Sequence, residues 1–405
     1  MKKQMSVSYA AAVYGEKEIQ AAIRVLRNPT KIVAGAAVKE FEKRIAALFG
    51  KKHGIMVNSG SSANLIGLSV LNLRQGDEVI TPALTFSTTV APILQLGLTP
   101  VFVDVMPGTY VVDPDAIESL ITKKTKVLMI PSLIGNIPDV VRLRGIAKKH
   151  GLFLVEDSCD TLGPKFGGKS TGTYTDISTT SFYASHIITA AGGGGMVCFH
   201  DEKLAKRALV MSNWGRQSTL FGAYEQSEEI KRRFAGTLDG EPYDAKFLFT
   251  EIGYNMQATE LQGAFGLVQL SRLKEFTKRR KVNVQRLRRF FARYDQWFLS
   301  PVVHPKVETA LLAFPLTIRT GAPFTRFDIT KYLEERSIQT RPIFTGNILR
   351  QPAFRHLAGD KLRKNFPVTD HVMRNGFLIG AHHGMTKQQL DYMTDKIDDF
   401  LGRYL

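Results

Sequence analysis

The sequence predicts an α/β fold with a mostly parallel sheet, followed by a smaller carboxyl-terminal α+β unit. Two observations carry this. From about residue 50, short apolar runs alternate with amphipathic stretches at helical spacing, the pattern of strands joined by crossover helices. Around 256–300 the texture changes to a long basic helical stretch, and shorter mixed elements follow it.

The strands come in order. DEVITPALTF (77–86), TPVFVDV (99–105), KVLMIPSLIG (126–135) and LFLVEDSCD (152–160) are apolar runs that open into loops, and DISTTSFYA (176–184) and GGMVCFHD (194–201) add two more. Between them, ANLIGLSVLNL (63–73) and DVVRLRGIAKKHG (139–151) read as helices, the second stopped by Gly151. MQATELQGAFGLVQLSRLKEFTKRRKVNVQRLRRFFARY reads as one long helix leading to the second unit. There FPLTIRT (314–320), a helix over 325–336, IQTRPIF (338–344) and a final helix, TKQQLDYMTDKIDDFL, make an α+β arrangement. The expected division is an amino-terminal arm and large domain over 1–270 and a small domain over 271–405.

A chain of 405 residues has room for two cores, and 44% hydrophobic with 22% charged residues is ordinary for a globular protein. No apolar run is long enough to cross a bilayer. The apolar start of MKKQMSVSYAAAVYG is broken by Ser6, Ser8 and Tyr9, so no signal peptide and no membrane partner are expected, and a cytoplasmic location is. Two cysteines, Cys159 and Cys198, supply neither a disulfide framework nor four thiolates for an iron–sulfur cluster. The net charge of +17 raises the question of nucleic acid. Its basic clusters, KRRF (231–234) and KRRK (278–281), fall in helical segments and read as solvated faces. No recognition motif accompanies them, so no nucleic-acid partner is expected; a positive field also suits a phosphate-bearing small substrate.

Four short segments carry chemistry. NSGSSANL (58–65) places Gly60 and Ser61 at a helix start, where N–H groups and the helix dipole attract an anion; a capped turn looks the same. EDSCD (156–160) ends a buried strand, where ligands of open α/β sheets bind, and its carboxylate either pairs with a ring nitrogen or caps the turn. Phe86 in LTFSTT either stacks on a flat ring or belongs to the core. SFYASHIITAAGGGG (181–195) sets one histidine, His186, five residues after Ser181 and just before four glycines.

In this order and spacing, these segments resemble the DegT/DnrJ/EryC1/StrS family of pyridoxal-phosphate (PLP) sugar enzymes, which implies the aspartate-aminotransferase fold (fold type I). Gly35 and FEKRIAALFG (41–50) are similar to the family's amino-terminal segment. GYNMQATELQGAFGLVQL (253–270) is similar to its GYN signature, with Gln257 where arginine is usual. His186 stands where most members carry the lysine that tethers the cofactor. SFYASHIIT (181–189), RPIFTGN (341–347) and NGFLIGAHHGM (375–385) resemble the histidine-containing branch, the nucleotide-sugar 3-dehydratases. Two departures stand out: Trp214-Gly215-Arg216 is followed by QSTLFG, without the cysteines of the cluster-bearing members, and Gly192 occupies the place of a usual glutamate.

The resemblance implies noncovalent PLP, working as pyridoxamine phosphate with L-glutamate as amino donor, and no iron–sulfur cluster. The substrate would be a nucleotide-linked 4-keto-6-deoxyhexose that loses its C3 hydroxyl. His186 would be the base and Asp157 the partner of the ring nitrogen. Gly60, Ser61 and Ser181 would hold the phosphate, Phe86 would stack on the ring, and Asp160 would lie near the ring hydroxyl. Arg341 would contact substrate or glutamate. Asn255 would reach a partner subunit's phosphate site, which implies a homodimer with shared active sites. The competing readings are a sugar aminotransferase, which lacks its lysine here, and a dehydrase feeding a separate reductase, which the missing cysteines oppose. A non-catalytic scaffold is opposed by the intact Asp157, Ser181 and Asn255.

Overall fold

A computed structural model of the chain describes residues 5–28, 32–221, 229–359 and 364–405; the amino-terminal MKKQ and Gly222, the last residue of QSTLFG, lie outside the described residues. Seven strands form the main sheet: β1 (His53–Val57), β2 (Glu78–Pro82), β3 (Thr99–Val103), β4 (Thr125–Pro131), β5 (Phe153–Asp157), β6 (Ile177–Ser181) and β7 (Gly195–Phe199). Their order is β1-β7-β6-β5-β4-β2-β3. β7 runs antiparallel to both neighbours, while the remaining pairs are parallel. Helices cover both faces of such a sheet, so β4, β5 and β7 are buried over most of their length and read as continuous apolar runs instead of alternating ones.

Six helices frame this sheet: α1 (Glu16–Leu26), α2 (Ala36–Leu48), α3 (Gly60–Ser69), α4 (Ser87–Gln95), α5 (Val140–His150) and α6 (Glu202–Ser212). α5 stops where the sequence says it should, with Gly151 at φ +64. α3 begins at Gly60, three residues before the apolar pattern starts, because Ser59 caps it by accepting a hydrogen bond from the Ser62 N–H.

The expected single long helix is in fact two. α7 (Glu260–Ser271) and α8 (Leu273–Phe291) meet at Arg272, whose φ of −99° and ψ of 0° lie at the edge of the helical region. The KRRK run within α8 also departs from its expected solvated role. Lys278, Arg279 and Lys281 are exposed, but Arg280 is completely buried.

Beyond α8 lies an antiparallel sheet of β8 (Phe298–Leu299), β9 (Phe314–Ile318), β10 (Arg341–Pro342) and β11 (Gly376–Ile379), in the order β8-β9-β11-β10. IQTRPIF contributes only Arg341–Pro342 to it. Helices α9 (Arg326–Glu334), α10 (Pro367–Asn375) and α11 (Lys387–Leu401) accompany the sheet. Its core is aromatic, with Phe291, Phe298, Phe314, Phe377 and Phe400 fully buried. The amino-terminal arm joins this core: Val7 donates to the Ser337 carbonyl and accepts from the Gln339 N–H, both at 2.8 Å, and its side chain is buried there. Burying that valine contributes about 1.5–3 kcal/mol. We propose the boundary near 270/271, at the α7–α8 break, with the arm crossing back to the second unit.

α11 carries a reciprocal cap, in which Thr386 Oγ1 accepts from the Gln389 N–H and Gln389 Oε1 accepts from the Thr386 N–H. Thr386→Ala is expected to lower stability by about 1 kcal/mol, seen as a lower urea midpoint, and to leave ligand binding at the main sheet unchanged.

Candidate active site

The carboxyl ends of β4, β5 and β6 open on one cavity of about 300 Å³. Pro131 and Asp157 stand side by side in the β4–β5 register, and Ser181 ends the neighbouring strand. Against these ends sits the start of α3. Gly60 is there because nothing larger fits: a Cβ would lie 2.6 Å from the Ser181 Cβ and 2.7 Å from the Cys159 Sγ. Ser59, Gly60, Ser61 and Ser181 thus share one wall. The first-turn N–H groups of a helix lack intrahelical acceptors, so with the hydroxyls they form a cradle for an anion.

Phe86 lines the same cavity, half exposed, its ring edge-on to Phe344 at a centroid distance of 5.8 Å. Between cradle and ring, Asp157 is buried and fixed by three donors. Asn64 Nδ2 and Thr89 Oγ1 each donate to Oδ2 at 2.8 Å, and the Cys159 N–H donates to Oδ1 at 3.2 Å. The ring of a flat cationic heterocycle held by this wall would meet a carboxylate that cannot rotate away.

Asp160, also on the wall, accepts from the Ile134 N–H at 2.8 Å. That bond holds Ile134 at φ +60°, a left-handed conformation that costs a β-branched residue energy. Burial raises the Asp160 carboxyl to about 7; the Ile134 N–H opposes the rise and the nearby Asp157 adds to it.

His186 lines the same cavity, in the loop between β6 and the glycines. Its ring is set edge-on to Tyr183 at 5.8 Å, and its Nδ1 is buried without a hydrogen-bond partner among the described residues. Burial lowers its pKa to about 4; the Ser181 carbonyl opposes this, the Arg280 guanidinium reinforces it, and Asp157 pulls upward. The imidazole is therefore neutral near pH 7 and free to accept a proton. Of the four glycines that follow, Gly192 and Gly194 take positive φ, +95° and +113°, while Gly195 serves packing: a Cβ there would lie 2.2 Å from the Ser59 carbonyl oxygen.

Seven of the residues singled out from the sequence come together here: Gly60, Ser61, Phe86, Asp157, Asp160, Ser181 and His186. Asn255 and Arg341 are not on this wall. Asn255 is exposed, in the segment whose Met256 carbonyl accepts from the Asn58 N–H. Arg341 lies over the Tyr9 ring at 5.2 Å and donates to the Thr340 carbonyl. Sequence reasoning missed Ser59, Thr88, Thr89, Tyr183 and Phe344 on the wall, and Asn64 and Arg280 behind it. For Asn64 a signal existed, since a polar side chain among the apolar residues of α3 needs a buried partner.

The raised Asp160 has a signed consequence. Between about pH 4 and 7 the folded chain holds a proton there that the unfolded chain releases, so this group lowers stability as pH rises through that window. Asp160→Asn keeps an acceptor for Ile134 and removes the titration. Its stability relative to the native chain is expected to rise by up to about 1.4 kcal/mol per pH unit across the window, measured by urea unfolding at stepped pH; a flat difference would refute the assignment.

Known proteins resemble this chain over most of its length. The dTDP-4-dehydro-2,6-dideoxy-D-glucose 3-dehydratase of Saccharopolyspora spinosa is 39% identical over 386 residues, covering 92% of this chain and 82% of that protein. The GDP-4-keto-6-deoxy-D-mannose 3-dehydratase of Yersinia pseudotuberculosis is 31% identical, over 94% of this chain and 95% of its own. A crystal structure of GDP-4-keto-6-deoxymannose-3-dehydratase with a trapped PLP–glutamate geminal diamine superposes with a TM-score of 0.81 at 26% identity, over 96% of this chain and 99% of that one. Residues 13–398 match the profile of the DegT/DnrJ/EryC1/StrS aminotransferase family, and the chain belongs to that family.

Proposed function

We propose that this chain is a PLP-dependent nucleotide-sugar 3-dehydratase, removing the C3 hydroxyl of a nucleotide-linked 4-keto-6-deoxyhexose to leave a 4-keto-3,6-dideoxyhexose. The observation that carries the reading is His186. It occupies the lysine's place in the motif and lines the cavity, and no lysine is among the described lining residues. The relatives act on dTDP- and GDP-linked sugars, so the reading stops at a nucleotide sugar.

The residues present fit a phosphate-bearing pyridine. Gly60, Ser61 and Ser181 would take the phosphate, Phe86 the ring face, Asp157 the ring nitrogen, and Asp160 the side of the ring hydroxyl. When bound, pyridoxamine phosphate supplies an amine for the sugar's C4 ketone and a ring that accepts electrons; L-glutamate is the proposed amino donor, as the trapped glutamate adduct of the related dehydratase suggests. Asp157, held by three donors, would keep a protonated ring nitrogen in place by a charge-assisted hydrogen bond. His186, neutral at rest, would take a proton from the amine-bearing carbon and would then give it to the departing C3 hydroxyl. Cys159, in the cavity wall, and Cys198, buried in β7, are the chain's whole thiol supply, so the reaction is proposed to run without an iron–sulfur cluster. Arg341, beside Tyr9 and outside the wall, is proposed to meet substrate or glutamate. A cytoplasmic location fits nucleotide-linked substrates.

We further propose a homodimer in which Asn255 serves the partner's phosphate cradle. Asn255 is exposed and absent from its own cavity, and nearby Trp214, Phe247, Phe249 and Ile252 are exposed apolar side chains that a second copy would cover. Sedimentation should give a dimer mass, and Asn255→Ala should weaken cofactor retention; a monomer with native retention would refute the shared site.

His186→Asn should still bind cofactor, because the cradle, Phe86 and Asp157 remain. It should lose solvent-deuterium exchange at the amine-bearing carbon, and with it C3–O cleavage, by roughly 10²–10⁴-fold. Equal exchange in native and variant enzyme would assign the base elsewhere.

A further inference from the structure

We propose that Arg280 is the positioning residue for His186, a buried guanidinium that clamps the histidine's loop to the carboxyl-terminal unit and sets its charge against the protonated imidazole. The inference rests on the dehydratase reading for its chemistry, but its geometry stands apart from it. Arg280, on α8, is fully buried. Its Nη2 donates to the His186 carbonyl at 3.1 Å, and its Nη1 donates to the Leu312 carbonyl at 2.7 Å and more distantly to that of Leu311. Its Nε donates to His383 Nδ1 at 3.1 Å. One side chain thus joins the loop after β6, the approach to β9 and the turn after β11.

Among the described residues no carboxylate pairs with this guanidinium; its acceptors are carbonyls and a neutral ring. His383 is stacked on Phe276 at 3.9 Å, and burial together with the Arg280 charge pushes its basicity well down, so it stays an acceptor. A buried charge satisfied by neutral acceptors keeps its field, since no counter-ion cancels it and little water screens it. Burial lowers Arg280 itself only to about 9, with Tyr9 opposing, so it is charged at neutral pH.

The groups that face His186 are Asp157 from β5, Arg280 from α8 and Tyr183 from its own loop. Those facing Arg280 are His383 and His382 from the turn after β11 and Tyr9 from the arm. The arginine therefore has a second effect beyond geometry. Once His186 has taken a proton, it stands near a fixed like charge, and it returns that proton readily to the leaving hydroxyl.

The test is an NMR titration of the imidazoles in substrate-free protein, with His186 assigned by its loss in His186→Asn. In the native chain the His186 signal should titrate near pH 4. In Arg280→Met its midpoint should rise; an unshifted midpoint would overturn the electrostatic role. Arg280→Lys keeps the charge but cannot span all of these acceptors at once. Its midpoint should stay low while kcat falls at least tenfold and KM changes little, and native kcat in Arg280→Lys would overturn the clamp. If Arg280→Met does not fold, the lysine variant alone still decides the positioning role. Because the titration uses no substrate, a shifted midpoint in a protein that dehydrates no sugar would sink the dehydratase reading and leave the Arg280–His186 coupling intact.

Discussion

The site depends on one steric constraint, the close approach of the backbone to its neighbours where α3 begins. Gly195 lets the start of β7 pass against the Ser59 carbonyl, and Gly60 lets the helix start press on Ser181 and Cys159. A side chain at either place would push the anion cradle away from the strand ends. Because β7 is hydrogen-bonded to both β1 and β6, the displacement would spread to the strand that leads into the cradle and to the strand that ends in Ser181. The polar network needs the same closeness. Asn64, one turn into α3, reaches Asp157 Oδ2 with its amide nitrogen and receives the Thr179 hydroxyl on its oxygen. Were α3 held off by even a methyl group, Asp157 would lose one of its three donors, and an unmade buried hydrogen bond costs on the order of 1–3 kcal/mol.

Much of this was legible in the sequence because the site is made from strand ends. β5 and its EDSCD, β6 and its SFYASH, and the Gly-Ser-Ser turn are each contiguous, and the family resemblance supplied their order. The seven residues that meet in the cavity all lie in such local segments. Contacts across long separations were not legible. KRRK reads as a solvated face because three of its four residues are solvated. That the third side chain turns inward depends on Leu312, 32 residues away, and His383, 103 residues away. No periodicity within α8 encodes those partners. The break at Arg272 was hidden for a related reason: neither glycine nor proline marks it, and helix-favouring residues flank it. The arm is similar, since the pairing of Val7 beside Ile338 is a long-range choice between two cores.

Sequence also gave no view of protonation, which follows from burial. Desolvation disfavours charge of either sign, so the same closed wall pushes a carboxyl up and an imidazole down. Asp160 rises to about 7 and His186 falls to about 4, an inversion of their ordinary order. At neutral pH the histidine is then the unprotonated group, and Asp160 sits close to its own midpoint. Asp157 differs from both by its three donors, each directed at an oxygen of the carboxylate. Asp160 has one such bond, from the Ile134 N–H, and burial outweighs it. The cavity thus sets a carboxylate fixed by three hydrogen bonds beside a neutral imidazole. A base tied to a carboxylate would keep its proton; a neutral imidazole with an open Nδ1, near a buried arginine, can take a proton and give it back.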